Sequence, residues 1–165
     1  RAHLAVHRAL LALHQITEGE HALIFSARLV SYEEKIQGYD GTCGTNVYYT
    51  YDSSTKTLHI FGTGAIADYN NEYTPWNSYK EEIKTLVIGN CVTSIGIEAF
   101  GFCTSLTSIE IPTSVTSIGN QAFTGCTGFT SIDIPASVTS IGFGAFWSCT
   151  SLASIHIPAS VTSIG

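Results

Sequence analysis

Residues 115–137 read VTSIGNQAFTGCTGFTSIDIPAS, and close copies of this 23-residue unit flank it on both sides. The pentapeptide Val-Thr-Ser-Ile-Gly begins at residues 92, 115, 138 and 161, always at the same spacing. A fixed period between 20 and 50 residues is typical of stacked repeat proteins. The sequence therefore predicts a solenoid, in which each coil packs only against its neighbours.

The shared frame of the coils is I-G-x-x-A-F-x-x-C-x-x-[LF]-x-x-I-x-I-P. In Ile109 to Ile111 the alternation directs both isoleucines to one face, which predicts a short strand, and Pro112 ends it. The spacing of residues Ala122 to Cys126 predicts one short helical turn. Because coils stack about 4.8 Å apart, equivalent residues should form continuous columns of isoleucine, phenylalanine and cysteine.

The repeat frame divides the chain into three parts. We expect residues 83–165 to form the repeat array, and we expect this array to be truncated at its C-terminal end within a coil. Residues 38–82 predict an N-terminal β-rich cap, with a hairpin formed by Asn46–Tyr51 and Thr57–Phe61. Residues 1–37 match neither pattern and stay unassigned, although their Ala- and Leu-rich start has helix propensity.

The charge distribution excludes several kinds of partner. Only 12% of residues are charged, against about 25% in typical soluble domains. All seven Lys and Arg residues lie at or before Lys84, so the array has no basic surface. This argues against nucleic acid and against anionic membrane surfaces as partners. No apolar run approaches the roughly 18 residues that span a membrane, so no membrane insertion is expected.

The chain carries no recognisable catalytic, metal or cofactor motif. His3, His7 and His14 lie near one helical face, but no cysteine or carboxylate accompanies them at zinc-site spacing. The run Gly62–Ala67 imitates a dinucleotide-binding fingerprint but reaches Pro75 too soon for the required helix. We therefore predict no enzyme activity, no metal and no cofactor for this chain.

The five cysteines divide into two groups. Three of them share one position of the repeat, which predicts small buried residues rather than disulfides; they are Cys103, Cys126 and Cys149. Cys43 and Cys91 lie outside this column, and the sequence leaves open whether they pair or stay free.

The exposed side of the predicted strands is the candidate binding surface, since solenoids use such extended faces for partners. Two columns of side chains should lie there, one starting at Thr85 and one at Val87. The candidate partner-binding residues are Ser108, Glu110, Ser131, Asp133, Ser154 and His156. The alternative is that these are solvated strand residues, because neither column carries the aromatic anchors common at binding hot spots. Phe102, Phe143 and Trp147 are aromatic residues outside the core columns.

The repeats resemble the BspA-like leucine-rich repeat family. The residues that carry the resemblance are Ile95-Gly96, Ala99-Phe100, Cys103, Leu106, Ile109-x-Ile111-Pro112 and their two further copies. Segments Gly41–Val47, Gly62–Ala65, Pro75-Trp76 and Ile83–Ile88 also resemble the cap that precedes such arrays. The resemblance covers about residues 40–165 and implies an α/β solenoid, a leucine-rich repeat superhelix with short parallel strands, short helical turns and an N-terminal β-hairpin cap.

The resemblance also implies a function and a location. It implies a cell-surface or secreted protein whose repeats mediate adhesion, with a host, matrix or microbial surface protein as the partner. The alternative is a scaffold or targeting domain of a larger surface enzyme, whose catalytic part lies outside this chain. Neither expectation assigns a catalytic residue to the repeats.

Overall fold

A computed structural model describes residues 39–70 and 72–165 of the chain. Two expectations fall outside these residues: the helix propensity of residues 1–37, and the placement of His3, His7 and His14 near one face. Residues from Tyr39 to Gly165 form one compact unit.

Short strands make up nearly all of the regular structure that is described. In chain order they are β1 Gly41–Gly44, β2 Val47–Asp52, β3 Thr57–Gly62, β4 Gly64–Ala65, β5 Thr85–Ile88, β6 Val92–Ile95, β7 Ser108–Glu110, β8 Ser117–Ile118, β9 Ser131–Asp133, β10 Ser140–Ile141, β11 Ser154–His156 and β12 Ser163–Ile164. One 3₁₀ helix, Lys80–Glu82, precedes β5 and is the only helix within the described residues.

Each coil contributes one strand to each of two sheets. The first sheet has the order β1-β2-β3-β5-β7, and the pair β9-β11 lies next to it, with β9 against β7. The second sheet has the order β12-β10-β8-β6-β4 and is parallel throughout. The predicted hairpin is present as β2 and β3, which are antiparallel, and β3 then pairs in parallel with β5.

The register of the second sheet shows how the repeat becomes a solenoid. Ile95 lies opposite Ile118, Ile118 opposite Ile141, and Ile141 opposite Ile164. Each step is one sequence period, so the isoleucines form the predicted column. The solenoid with short parallel strands is confirmed.

The segment predicted to be a short helical turn differs in detail. It is a run of hydrogen-bonded turns, in which the N–H groups of Ala122, Thr124 and Cys126 donate to carbonyls three residues earlier, at 3.1–3.3 Å. The N–H groups of the intervening residues donate to carbonyls of the next coil, at 2.8 Å. Gln121 has a φ of +53°, which an α-helix does not allow. Alternate peptide groups therefore point towards the neighbouring coil instead of along a helix axis.

The predicted phenylalanine column is a continuous stack of parallel rings. Phe123 lies between Phe100 and Phe146, with ring centroids 5.5 Å and 5.6 Å apart. Trp76 extends the stack, 5.1 Å from Phe100. A strict 23-residue offset would align Trp76 with Ala99. The indole instead stacks on Phe100, the residue after Ala99. Its Nε1–H donates a hydrogen bond to the carbonyl of Ala99 at 2.9 Å. This bond satisfies the one polar group of a fully buried ring.

Gly119 marks a position where successive coils come very close together. A Cβ atom built on Gly119 would lie 2.7 Å from the carbonyl carbon of Gly96 and from the backbone nitrogen of Ile97, closer than real Cβ contacts. A side chain at this position would therefore push two coils apart. The recurring glycine of the frame is thus explained by backbone packing between coils.

Candidate functional site

The six candidate residues all lie exposed on the outer side of the first sheet and its β9-β11 continuation. Val87 lies opposite Glu110, and Asp133 lies opposite His156. The serines form the neighbouring column, in which Ser131 lies opposite its counterpart on β11. We call this surface, with its two columns of outward side chains, the strand face.

Alternation of burial along β5 and β9 explains why the outward side chains of these strands point to solvent, and the register of the sheet carries the same orientation to β11. Leu86 and Ile132, which sit between the outward residues of β5 and β9, are 1% and 5% exposed. A strand residue whose neighbours are buried must project to the opposite face. The sequence-predicted site residues are therefore brought together on one face by the register of the coils.

The hairpin extends the strand face beyond the repeats. His59 on β3 lies opposite Val87, and Thr50 on β2 lies opposite His59. From β3 to β11 the column crosses five strands, a distance of about 19 Å at the usual strand spacing. The repeat frame did not predict this extension because the hairpin lacks the 23-residue period. The alternation in Leu58-His59-Ile60 is the signal that would have found it.

An aromatic cluster ends the strand face on the hairpin side. Tyr48 lies opposite Phe61 in the hairpin, on the same side as His59, and their ring centroids are 6.0 Å apart. Tyr39 packs on Tyr48 at 4.6 Å and is 45% exposed. We call these three residues the aromatic shelf. Neither column of the strand face carries an aromatic anchor of its own, and the register of the hairpin places one directly beside them.

The charged groups on the strand face are carboxylates. Glu110 and Asp133 have no ion-pair partner among residues 39–70 and 72–165. Asp52, at the end of β2, accepts hydrogen bonds from Ser54 and Thr55, which lower the pKa of its carboxyl to about 2. The described residues together contain three lysines and nine carboxylates, a net charge of −6. On the strand face itself, Glu110 and Asp133 with no lysine in the same columns make an acidic surface at neutral pH.

A second surface lies on the other sheet and has a different character. An open groove of about 660 Å³ runs across the coils over the column of Ser94, Ser117 and Ser140. Polar side chains at the rim of this groove form hydrogen bonds with backbone groups of the neighbouring coil. The Oδ1 of Asn120 accepts the N–H of Phe143 at 2.9 Å. The Oδ1 of Asp68 accepts a backbone N–H of the next coil in the same way, at 2.8 Å.

The threonines beside this groove are also used by the fold. The hydroxyl of Thr116 donates to the carbonyl of Thr93 at 3.3 Å, and that of Thr139 donates to the carbonyl of Thr116 at 3.2 Å. The same bond recurs at Thr162. The repeated threonines beside the groove therefore serve coil-to-coil hydrogen bonding.

Three aromatic residues outside the core columns are exposed on the turn side of the coils. Phe102, Phe143 and Trp147 are 43%, 66% and 68% exposed. The ammonium group of Lys80 lies 5.9 Å from the ring centroid of Phe102, within cation–π range. These residues lie on turn segments and not on the strand face.

All five cysteines are free thiols, and the three repeat cysteines are buried. The Cys126 thiol donates to the carbonyl of Phe100 and the Cys149 thiol to that of Phe123, each at 3.2 Å. Burial raises the pKa of Cys43 and of Cys103 to about 12. Buried thiols with such pKa values are weak nucleophiles at neutral pH, so the column is structural.

The Gly62–Ala67 segment continues into β4 instead of the helix that a dinucleotide fingerprint requires. Within residues 39–70 and 72–165, no three His, Cys, Asp or Glu side chains gather as metal ligands would. In the same residues no helix has the length and apolar character to cross a bilayer.

Solved structures of bacterial proteins share this architecture. A leucine-rich repeat protein from Eubacterium ventriosum is 26% identical with a TM-score of 0.60, over 77% of this chain and 39% of that one. A leucine rich repeat protein from T. pallidum is 27% identical with a TM-score of 0.53, over 76% of this chain and 64% of that one. The chain thus spans less than two thirds of the length of either protein.

The family comparison identifies the repeats directly. No curated protein is similar enough to this chain to count as a relative. Residues 77–165, more than half of the chain, match the family described as BspA type leucine rich repeat region, with six copies. The chain belongs to the BspA-type leucine-rich repeat family.

Proposed function

We propose that this chain is a non-catalytic adhesion module of a cell-surface or secreted protein, and that its strand face binds a host, matrix or microbial surface protein. Membership of a leucine-rich repeat family supports an interaction role, because stacked repeats present extended surfaces to partners. The adhesive role and the surface location follow the family resemblance.

One observation carries the assignment to the strand face. Glu110, Asp133 and His156 have no hydrogen-bond or ion-pair partner among the described residues, although each occupies the same position of the coil. The fold makes no visible use of these side chains. They differ from coil to coil, as residues that contact a partner would, whereas the second sheet repeats the same Thr and Ser in every coil.

Binding to immobilised fibronectin, fibrinogen and laminin tests the proposal. We expect saturable binding of the full chain to at least one of them. The variant Glu110→Ala/Asp133→Ala/His156→Ala should lose it while keeping its circular dichroism spectrum and unfolding midpoint.

A matched triple variant on the other sheet is the control. Ser94→Ala/Ser117→Ala/Ser140→Ala changes the same number of coils but leaves the strand face intact. Equal losses in the two triple variants would reject the strand face as the site. Failure of the folded wild-type chain to bind any of the three proteins would reject adhesion to these matrix partners.

A further inference from the structure

We propose that the partner segment bound by the strand face is a basic, extended polypeptide, whose cationic side chains contact Glu110 and Asp133 and whose one end packs on the aromatic shelf. This inference rests on the proposed function and adds the chemistry of the partner. It depends on three features of the face: its charge, its aromatic end and its length.

Charge complementarity favours a cationic segment. Glu110 and Asp133 occupy the same column on successive coils, and β9 lies against β7. The positions beside them carry serine, threonine, valine and histidine, so no lysine or arginine stands in either column from β3 to β11. A segment with two spaced cations would neutralise both carboxylates, whereas an acidic segment would meet repulsion.

The aromatic shelf favours a polypeptide over a small ion. Tyr39 is 45% exposed and packs against Tyr48 with its ring tilted by 48°, and Tyr48 in turn stacks on the buried ring of Phe61. The shelf is therefore a supported aromatic surface at one end of an acidic strip. Such rings bind apolar groups, and they bind the cationic groups of Arg or Lys through their faces. Val87, 40% exposed, adds an apolar contact between the shelf and Glu110.

The length of the strip matches a short peptide. From β2, which carries Tyr48, to β11, which carries His156, the face crosses six strands, about 24 Å at the usual strand spacing. An extended chain covers about 3.3 Å per residue, so roughly seven or eight residues reach from end to end. The ligand class is thus an octapeptide-sized segment with cations near its middle.

A random octapeptide library displayed on phage tests this assignment, with the full chain as the immobilised target. We expect the selected peptides to be enriched in Lys and Arg over the unselected library. A synthetic peptide of the most frequent selected sequence should bind the variant Glu110→Gln/Asp133→Asn about tenfold more weakly than the wild type, because two exposed ion pairs are lost. Binding of the peptide to the wild-type chain should weaken as the salt concentration rises, because salt screens the ion pairs.

Two further variants separate position from net charge. Glu72→Gln/Glu81→Gln removes the same charge from exposed residues outside the two sheets, and should bind the peptide within twofold of the wild type. Glu110→Lys/Asp133→Lys should reverse the selection and enrich peptides in Asp and Glu. Tyr39→Ser should weaken peptide binding about threefold without changing its salt dependence, because the shelf contact is not an ion pair.

Several results would overturn the inference. One is the selection of peptides that are not enriched in Lys and Arg, and another is the selection of no peptide at all. A third is an equal loss of peptide binding in Glu110→Gln/Asp133→Asn and in Glu72→Gln/Glu81→Gln. The outcome is separable from that of the proposed function. If the triple alanine variant loses matrix binding while Glu110→Gln/Asp133→Asn retains it, the strand face is the site and the basic partner is wrong.

Discussion

The two sheets of this solenoid differ in how their outward residues are used. On the second sheet, Thr93, Thr116 and Thr139 recur unchanged, and each carbonyl receives a hydroxyl from the next coil. On the first sheet and its β9-β11 continuation, one outward column changes from coil to coil and holds Val87, Glu110, Asp133 and His156. The recurring threonines thus mark positions where neighbouring coils bond to each other, whereas Glu110, Asp133 and His156 have no such partner among the described residues.

Within a single repeat, some residues contribute to the stability of the fold and others are available to contact a partner. A column that holds coils together should be sensitive to substitution, because each residue has a partner above and below it. A column that only faces solvent should be insensitive in stability but sensitive in binding. Four variants sharpen or break this division, and they are ordered by the expected loss of unfolding free energy.

The largest loss is expected in the aromatic stack. Phe123→Ala removes a fully buried ring that packs between two parallel rings, and should lower the unfolding free energy by about 3–5 kcal/mol. Chemical denaturation followed by circular dichroism measures it. Phe143→Ala is the control, because that ring is 66% exposed and should change the free energy by less than about 1 kcal/mol. Similar losses in both would mean that the stack does not hold the coils together.

A smaller loss is expected where the backbones of two coils approach each other. Gly119→Ala places a Cβ 2.7 Å from backbone atoms of the preceding coil, and should cost about 1–3 kcal/mol, as in other overpacked sites. Thermal and chemical unfolding both measure this cost. Ser117→Ala, in the same strand, adds no atom and should be nearly neutral. If Gly119→Ala is as stable as the wild type, the coils are not packed at that distance.

The hydroxyl ladder should contribute less again. Thr116→Val keeps the shape of the side chain but removes the donor to the carbonyl of Thr93, and should cost about 0.5–1.5 kcal/mol. Thr113→Val is the comparison, because no hydrogen bond of that exposed side chain is seen among the described residues. Both are measured by denaturant unfolding. Equal effects would remove the threonines from the list of structural residues.

The smallest effect is expected on the strand face. Glu110→Gln/Asp133→Asn replaces two exposed carboxylates that have no described ion-pair partner, and should change the unfolding free energy by no more than about 0.5 kcal/mol. The same pair of unfolding curves measures this change. A loss comparable to that of Gly119→Ala would show that these residues hold the fold, and the contrast between the two sheets would fail.

Much of the fold could be predicted because the same pattern of buried and exposed positions recurs in every repeat. The period fixed the solenoid, and the alternation around Ile109 and Ile132 fixed which side of each strand is buried. The phenylalanine column followed from the period alone. The turn segment was harder, since Ala122 to Cys126 has the spacing of a helix. Its left-handed residue at Gln121 and its hydrogen bonds to the next coil depend on the neighbouring coil, which local spacing does not describe.

The candidate site was predicted in its repeat part and missed in its hairpin part. Glu110, Asp133 and His156 follow from the period, because equivalent residues of stacked coils must lie in one column. His59 and Tyr48 have no place in the period. Their position depends on the parallel pairing of β3 with β5. The two strands share the pattern T-L-x-I, but Thr57 precedes Thr85 by 28 residues, so the 23-residue frame does not align them.

The sequence by itself determined the repeat, the strands, the buried columns and the charge of the array, since these depend on local alternation and on a fixed spacing along the chain. Only the tertiary structure decided that Trp76 continues the phenylalanine stack and that the hairpin joins the first sheet. The same is true of the aromatic shelf, which lies at the end of an acidic strip. The physical reason is that these features arise from pairing and packing between segments that lie outside the 23-residue period, so the repeat frame does not align them.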